Sequence, residues 1–147
     1  MTGMYNRNAY DYFVKNEKDF EGYVIVTFDL NNLKQCNDQY GHRAGDEYII
    51  NAAHIIEDNF ERYGKCYRIG GDEFCCIIPK GRYFKLERVM HKIDQDVEIL
   101  NHKNIIPVPV GIAYGYAVFT ADDTDPEKVR ERADKDMYRN KKTMKQF

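Results

Sequence analysis

The chain of 147 residues contains no tryptophan, only four prolines and only four cysteines. No Cys-x-x-Cys pair is present, and the four histidines show no metal-ligand spacing, so neither a disulfide framework nor a zinc site is predicted. Cys36, Cys66, Cys75 and Cys76 are instead expected to be reduced thiols, in the core or partly buried, of a domain in the cytoplasm.

Long apolar runs and a large excess of one charge are also lacking. No apolar segment approaches the roughly 18 residues that cross a bilayer, and no signal peptide is recognisable. The net charge of −2 predicts no nucleic-acid partner and no direct membrane contact. A chain with 43% hydrophobic and 31% charged residues is typical of a folded globular protein. Its length favours a single domain over residues 1–147.

Hydrophobic periodicity predicts helices and strands that alternate along the chain. Helices are expected over 6–20, 31–40, 43–60 and 83–100, with a last helix capped by Asp125 and opened by Pro126. Strands are expected over 23–28, 65–69 and 73–78, and one or two over 108–119, where Gly111 and Gly115 indicate a bulge or a close backbone approach. Because a hairpin interrupts the alternation, the pattern favours an α+β fold with a mixed sheet.

The most informative segment is the hairpin tip, Gly70-Gly71-Asp72-Glu73-Phe74. The two glycines predict a tight two-residue turn, since glycine adopts positive φ at no steric cost. The two carboxylates that follow would point to opposite faces of a strand and so could have different roles. Turn chemistry alone would also explain an acidic pair here as solvated turn residues.

Four separated blocks of the sequence resemble the GGDEF family of diguanylate cyclases. They are Thr2-Gly3-Met4-Tyr5-Asn6-Arg7; Phe28-Asp29-Leu30-Asn31-Asn32-Leu33-Lys34 with Asn37-Asp38, Gly41-His42 and Gly45-Asp46; Gly70-Gly71-Asp72-Glu73-Phe74; and Ala133-Asp134-Lys135-Asp136-Met137-Tyr138 with Lys141 and Lys145. The resemblance implies a mixed, mainly antiparallel sheet of about five strands surrounded by helices, akin to nucleotidyl cyclase and polymerase palm folds. It also implies a nucleotidyltransferase that condenses two GTP into cyclic di-GMP with release of pyrophosphate, for bacterial second-messenger signalling.

The resemblance implies a site for Mg²⁺ or Mn²⁺ held by Asp29, which ends a predicted strand, and Asp72. Carboxylates are natural ligands of such hard cations, and two of them can share one ion if their strands are neighbours. By the same resemblance the backbone carbonyl of Leu30 joins the metal shell, and Glu73 acts as a metal ligand or proton acceptor. The local sequence alone would also explain Asp29 as a turn or helix cap.

The GTP phosphates are expected at the start of the second helix, because a helix N-terminus offers unpaired N–H groups to anions. The resemblance implies that Asn32, Leu33 and Lys34 bind there. It also implies that Lys141 and Lys145, one turn apart on the last helix, add positive charge. These two lysines would equally suit a basic helix end that complements the helix dipole.

Asn37 and Asp46 match the two positions that read guanine in the family. An aspartate can accept hydrogen bonds from guanine N1–H and the 2-amino group, while an asparagine can pair on another edge. Gly70 and Gly71 would let the backbone approach the nucleotide closely. The alternative for Asn37 and Asp46 is that they cap the flanking helices.

Two departures from the family pattern carry expectations of their own. Asn31 stands where many members have aspartate, so metal affinity is expected to be lower while activity survives. Glu61 and Gly64 occupy the positions of the inhibitory Arg-x-x-Asp motif. Neither residue can bind a phosphate there, so no product inhibition through that site is predicted.

Closing the cyclic product needs two facing sites, so a two-fold homodimer is implied. The abrupt start of the sequence predicts that the domain was excised from a longer chain, with an upstream sensor domain or a membrane-anchoring region before it. The alternative to an enzyme is a catalytically silent GGDEF module that binds GTP or a cyclic dinucleotide and regulates an attached domain.

Overall fold

The computed structural model describes residues 4–81 and 85–145, the last five of them by their backbone alone. Thr2 and Gly3, from the first block of the resemblance, lie outside the described residues. The elements follow in the order α1 Arg7–Asn16, β1 Val24–Asn31, α2 Leu33–Tyr40, α3 His42–Phe60, β2 Lys65–Arg68, β3 Glu73–Ile78, α4 Leu86–His102, β4 Gly111–Val118 and α5 Pro126–Lys145. No helix among the described residues is long and apolar enough to cross a bilayer.

The strands form one sheet in the order β2-β3-β1-β4, and all neighbours are antiparallel. The predicted α+β class is confirmed, with four strands in the described chain where about five were expected. Along the edge of β2 that faces away from β3, the described residues form one isolated parallel bridge, between Tyr5 and Tyr67. There the Tyr5 N–H donates to the Cys66 carbonyl at 3.3 Å, and the Arg68 N–H donates to the Tyr5 carbonyl at 2.8 Å.

Helices cover both faces of the sheet. On one face α2, α3 and α4 enclose a core in which Phe28 of β1 meets Phe60 of α3 edge to face. On the other face α1 and α5 pack on Ile25 and its neighbours, with Val129 of α5 buried there. Successive side chains of β1 alternate between these two cores, which explains why its sequence is a continuous apolar run.

Two helix ends show how local hydrogen bonds set the element bounds. Helix α1 ends at Asn16, earlier than expected, because the Glu17 carboxylate accepts the Lys18 N–H at 2.9 Å and so competes with the helical pattern. Helix α5 begins as predicted. The Asp125 carboxylate accepts the Glu127 N–H at 3.0 Å and caps the helix.

Strand β4 is a single strand, Gly111–Val118, and its pairing with β1 is continuous, so the segment 108–119 contains no bulge between these strands. The other expectation for this segment, a close backbone approach, is confirmed at Gly115. A Cβ at that position would overlap the backbone of Met137 and Ala133 in α5. Glycine is therefore needed for α5 to lie directly on the sheet.

Side chains of α5 also hydrogen-bond to the backbone of the edge strand β4. The Tyr116 N–H donates to the Asp136 carboxylate at 3.0 Å, and Asn140 Nδ2 donates to the Tyr114 carbonyl at 2.6 Å. The edge of the sheet is thus covered at these positions, and α5 is held along β4.

Candidate active site

The two aspartates predicted to share a metal lie side by side at one end of the sheet. Strands β1 and β3 are neighbours, and their register pairs Asp29 with Glu73. The Leu30 N–H donates to the Asp72 carbonyl at 3.2 Å, which extends the pairing one residue into the loop before β3. This pairing brings Asp72 alongside the end of β1.

The loop that carries Asp72 is wider than the two-residue turn predicted, and that prediction is wrong. The Ile69 N–H donates to the Glu73 carbonyl at 2.9 Å, so three residues form the loop, and neither glycine has positive φ. The wider loop is stabilised because Arg68 donates from Nε to the Gly70 carbonyl at 3.2 Å and from Nη2 to the Gly71 carbonyl at 3.1 Å.

The carboxylates of Asp29 and Asp72 are close enough to interact strongly. The pKa of Asp72 is raised, first by burial, then by the charge of Asp29 and by a hydrogen bond with the Asp29 carboxyl group, and last by the charge of Glu73. Glu73 itself is exposed and lies across from Asp29 in the register. The site therefore concentrates negative charge that a bound cation would neutralise.

The donor set at this point suits a hard divalent cation. It consists of two carboxylates and the carbonyl of Leu30, which points to the same side of β1 as the Leu30 N–H and so faces Asp72. Among the described residues, no group of three or more histidine, cysteine, aspartate or glutamate side chains is arranged to hold a metal. The role of Glu73 as a further ligand or proton acceptor stays a prediction.

The start of α2 is open, as a phosphate site requires. Asn32 precedes the helix with φ 67° and its side chain makes no capping hydrogen bond, while its Nδ2 donates to the Pro109 carbonyl at 3.1 Å. In the part of the chain that the structure describes, the N-cap side chain therefore accepts no hydrogen bond from the first N–H groups of α2. Lys34 lies exposed in the first turn. This arrangement is compatible with anion binding at the helix N-terminus.

The residues predicted to read guanine meet where α2 and α3 pack together. A Cβ on Gly45 would overlap Asn37 Oδ1, so the asparagine side chain lies directly against the α3 backbone. Asp46 is the next residue and is exposed. The structure thus places Asn37 of α2 and Asp46 of α3 at one helix junction, where the absence of a side chain on Gly45 lets Asn37 pack against α3.

The two lysines predicted to bind phosphate both lie on α5, which runs to Lys145. The side chains of Lys141 and Lys145 lie outside the described part of the chain. Their predicted contacts with phosphate therefore remain predictions.

Asp134 of α5 is close to the carboxylate site, although the sequence reasoning did not include it among the site residues. Its pKa is raised, mainly by burial, and the charge of Asp29 contributes. The Thr27 hydroxyl lies beside its carboxylate. Thr27 is buried and is the one polar residue within an apolar strand segment, which is the signal that could have drawn attention to this contact.

Tyr48 is another residue that the sequence reasoning treated only as part of an apolar helix face. Its side chain is fully buried, and its hydroxyl donates to the Asn31 carbonyl at 2.6 Å and accepts the Gly111 N–H at 3.0 Å. Burial raises the pKa of Tyr48 to about 12, so it stays protonated at neutral pH. Tyr48 therefore ties α3, two residues after Asp46, to the end of β1.

The positions of the family's inhibitory motif have a structural use of their own here. A Cβ on Gly64 would overlap the Ile77 carbonyl, so the backbone packs directly on β3 at this point. Glu61 is exposed just after α3. The absence of product inhibition through these positions stays a prediction.

Comparison with known proteins gives a consistent result. The family model described as "Diguanylate cyclase, GGDEF domain" matches residues 1–146. The chain is 29% identical over 147 residues to the diguanylate cyclase DgcS of Shewanella oneidensis, covering 96% of this chain and 48% of that protein. It is 30% identical over 128 residues to the bifunctional diguanylate cyclase/cyclic di-GMP phosphodiesterase MucR of Pseudomonas aeruginosa, covering 84% of this chain and 18% of that protein.

Solved structures share the fold. The GGDEF domain of DgcB from Caulobacter crescentus, crystallised in complex with c-di-GMP, superposes with a TM-score of 0.77 at 25% identity over 97% of this chain and 88% of that chain. The diguanylate cyclase SiaD of Pseudomonas aeruginosa, in complex with its activator SiaC, also gives 0.77, at 22% identity over 97% of this chain and 56% of that chain. The chain spans less than half the length of the two curated relatives above.

Proposed function

The chain belongs to the GGDEF domain family, and from this premise we propose that it is a diguanylate cyclase that condenses two GTP into cyclic di-GMP. The observation that carries the proposal is the convergence of the Asp29 and Asp72 carboxylates beside the open start of α2. Named relatives are diguanylate cyclases, which supports this activity at the level of the family.

In this proposal Asp29, Asp72 and the Leu30 carbonyl hold Mg²⁺ or Mn²⁺. When bound, the cation would neutralise charge on the α-phosphate and on the departing pyrophosphate. The α2 N-terminus, Lys141 and Lys145 would bind the terminal phosphates, with Lys141 and Lys145 supplying charge from α5. What supports the metal assignment is the donor chemistry and the raised pKa of Asp72, since like charges at this separation favour a shared cation.

The reaction forms one bond and breaks one bond in each of two equivalent steps. The 3′-oxygen of one GTP bonds to the α-phosphorus of the other, and the bond from that phosphorus to the pyrophosphate oxygen breaks. The 3′-hydroxyl proton is lost, and Glu73 is the candidate acceptor because it is exposed next to the carboxylate pair. Asn37 and Asp46 would select guanine from the other end of the site.

A two-fold homodimer would bring two GTP-loaded sites face to face, because each protomer binds one substrate. We propose that an upstream region of a longer protein controls this pairing, and that the described domain works in the cytoplasm. In an assay of the isolated chain, the rate per protomer should then rise with protein concentration, and an added dimerisation domain should raise it at low concentration.

The test is to incubate the chain with GTP and Mg²⁺ at several protein concentrations and to quantify cyclic di-GMP by chromatography and mass spectrometry. Product should form in the parent chain, should be absent in Asp72→Ala, and should persist in the matched control Asp58→Asn, an exposed change on α3. No product from the folded parent chain at high protein concentration would contradict the proposal.

A silent regulatory module is the second candidate, and Asn31 is the observation that favours it. Its Oδ1 is buried and has no hydrogen-bond partner among the described residues, where many family members have a charged aspartate. Calorimetry together with the turnover assay separates the two functions. Tight GTP or cyclic dinucleotide binding by the parent chain without turnover would identify the module, whereas turnover by the parent chain that is lost in Asp72→Ala would identify the enzyme.

A further inference from the structure

The hairpin that carries Asp72 also contains a pair of cysteines that face each other. The register of β2 and β3 places Cys66 directly opposite Cys76. Their Sγ atoms are 2.7 Å apart, and the two residues are 4% and 0% exposed. Both are free thiols in the structure.

Backbone hydrogen bonding shows that this pair is of the closely spaced kind. The Ile69 N–H donates to the Glu73 carbonyl, and bonded pairs then alternate with non-bonded ones along the hairpin, so that Cys66 and Cys76 form a non-bonded pair. The Cys66 carbonyl indeed accepts the Tyr5 N–H, on the side of β2 away from β3. In such pairs the Cα atoms lie about 4.5 Å apart, which is within the range that a disulfide requires.

The other two cysteines are placed differently. Cys75 is next to Cys76 but points to the opposite face of the sheet, into the core under α1 and α5. Cys36 lies in the same core as Cys66 and Cys76, but it is on helix α2 and is not opposite either of them in the strand pairing. Cys66 and Cys76 are therefore the two thiols that can be joined without moving a strand.

We propose that Cys66 and Cys76 are a redox modification site that peroxide closes to an intramolecular disulfide. One thiol is oxidised to a sulfenic acid as the peroxide O–O bond breaks and one water leaves. The second thiol then attacks that sulfur, the S–S bond forms, and the hydroxyl leaves as a second water. Two electrons pass from the sulfurs to hydrogen peroxide, and a dithiol reductant reverses the change.

The place of Cys66 and Cys76 in the edge hairpin determines how an oxidant reaches them and how a disulfide would affect stability. Strand β2 is the outer strand of the sheet order, so local opening at this edge gives a small oxidant access to the buried pair. The bond would join β2 to β3 in their existing register, a short distance from the loop that holds Asp72. Because it closes the hairpin in the unfolded chain as well, it should raise the melting temperature by roughly 5 °C.

The experiment treats the folded, fully reduced chain with hydrogen peroxide, blocks remaining thiols with an alkylating reagent and maps the peptides by mass spectrometry. The expected product is a chain lighter by two hydrogen atoms, with a Cys66–Cys76 linked peptide that dithiothreitol removes. Its melting temperature should be higher than that of the reduced form. The matched control Cys36→Ser should give the same link, and Cys66→Ser should not.

The mapping on the unmutated chain decides the matter even if Cys66→Ser does not fold. Recovery of Cys66 and Cys76 as alkylated thiols after peroxide treatment would overturn the proposal. A Cys75–Cys76 link, or links between chains in place of the Cys66–Cys76 peptide, would also overturn it. None of these readouts depends on turnover of GTP.

Discussion

At the carboxylate end of the candidate site, Asp29 and Asp72 lie against each other, and the charge of Asp29 is one of the causes, after burial, that raise the pKa of Asp72. At the other end, which we call the base end because guanine is proposed to bind there, Asn37 packs tightly against the backbone of Gly45. At the first end a bound cation would relieve the repulsion between the carboxylates, whereas at the second end the position of Asn37 is set by the packing of α2 on α3. Metal affinity and base selection should therefore respond to different substitutions.

The largest effect should come from removing one charge at the carboxylate end. If the chain is the proposed cyclase, Asp72→Asn should lower turnover by at least about 10³-fold, because it removes a proposed metal ligand worth several kcal/mol in the transition state. In metal-free buffer the same variant should melt at a higher temperature than the parent, since the repulsion with Asp29 is gone. Steady-state kinetics and differential scanning calorimetry check the two parts.

Asp58→Asn, an exposed change on α3, is the control for Asp72→Asn and should alter neither quantity. A lower melting temperature for metal-free Asp72→Asn would show that the carboxylate pair is stabilising as it stands. In that case the carboxylate end would not differ from the base end in being held under repulsion.

The next effect concerns base selection. Asp46→Ser should reduce kcat/KM for GTP by about 10- to 100-fold, the range expected when hydrogen bonds to a charged group are lost. Mg²⁺ affinity should stay unchanged, because Asp46 is on α3 and is not one of the proposed metal ligands. Parallel titrations with GTP and Mg²⁺ measure both, and a matching loss of metal affinity would show that the two ends are not separable.

Packing at the base end predicts a smaller change in stability. Gly45→Ala adds a methyl group that overlaps Asn37 Oδ1, so the free energy of unfolding should fall by roughly 2 kcal/mol in urea titrations. Gly71→Ala is a matched control, since its added Cβ meets nothing within 4 Å and its φ is not positive. Equal stability of the two variants would mean that the α2–α3 contact is not tight.

The smallest expected effect is a dependence on pH in the absence of metal. The folded chain binds the Asp72 proton more tightly than the unfolded chain does, because the pKa of Asp72 is raised. The free energy of unfolding should therefore fall as pH rises from the unfolded pKa through the higher folded pKa. The melting temperatures of the parent and of Asp72→Asn should be measured across this pH interval, because their difference isolates the contribution of Asp72. Mg²⁺ should abolish this pH dependence.

An unchanged difference across the same pH interval would contradict the assigned pKa direction. The parent chain must be compared with Asp72→Asn, because other carboxyl groups also titrate: burial raises the pKa of Asp134, and Arg132 lowers the pKa of Asp123. Both groups are present in the parent and in the variant, so their contributions to the pH dependence cancel in the difference.

The sequence predicted the secondary structure better than the geometry of the loop. Hydrophobic periodicity placed the helices and strands within a few residues, because apolar stripes and runs are local signals. The convergence of Asp29 and Asp72 followed from strand adjacency, which the family resemblance implied. The geometry of the loop did not follow, since it depends on the two carbonyls that the Arg68 side chain holds.

Contacts between distant segments escaped the sequence reasoning for a related reason. Tyr48 occupies an apolar helix position, and nothing local shows that its hydroxyl reaches Asn31 and Gly111. The close packing at Gly45 likewise depends on how α2 meets α3. A glycine or a tyrosine in a helix can have several structural roles, and the tertiary contacts determine which role it has.

The central claim is that Asp29 and Asp72 share one divalent cation beside GTP. The most direct measurement is the anomalous diffraction of Mn²⁺ in a crystal of the chain with a non-hydrolysable GTP analogue. The account predicts one peak about 2.1 Å from an oxygen of each carboxylate, with the Leu30 carbonyl completing that side of the shell. A cation held by only one of the two aspartates, or bound to the analogue without either, would contradict it.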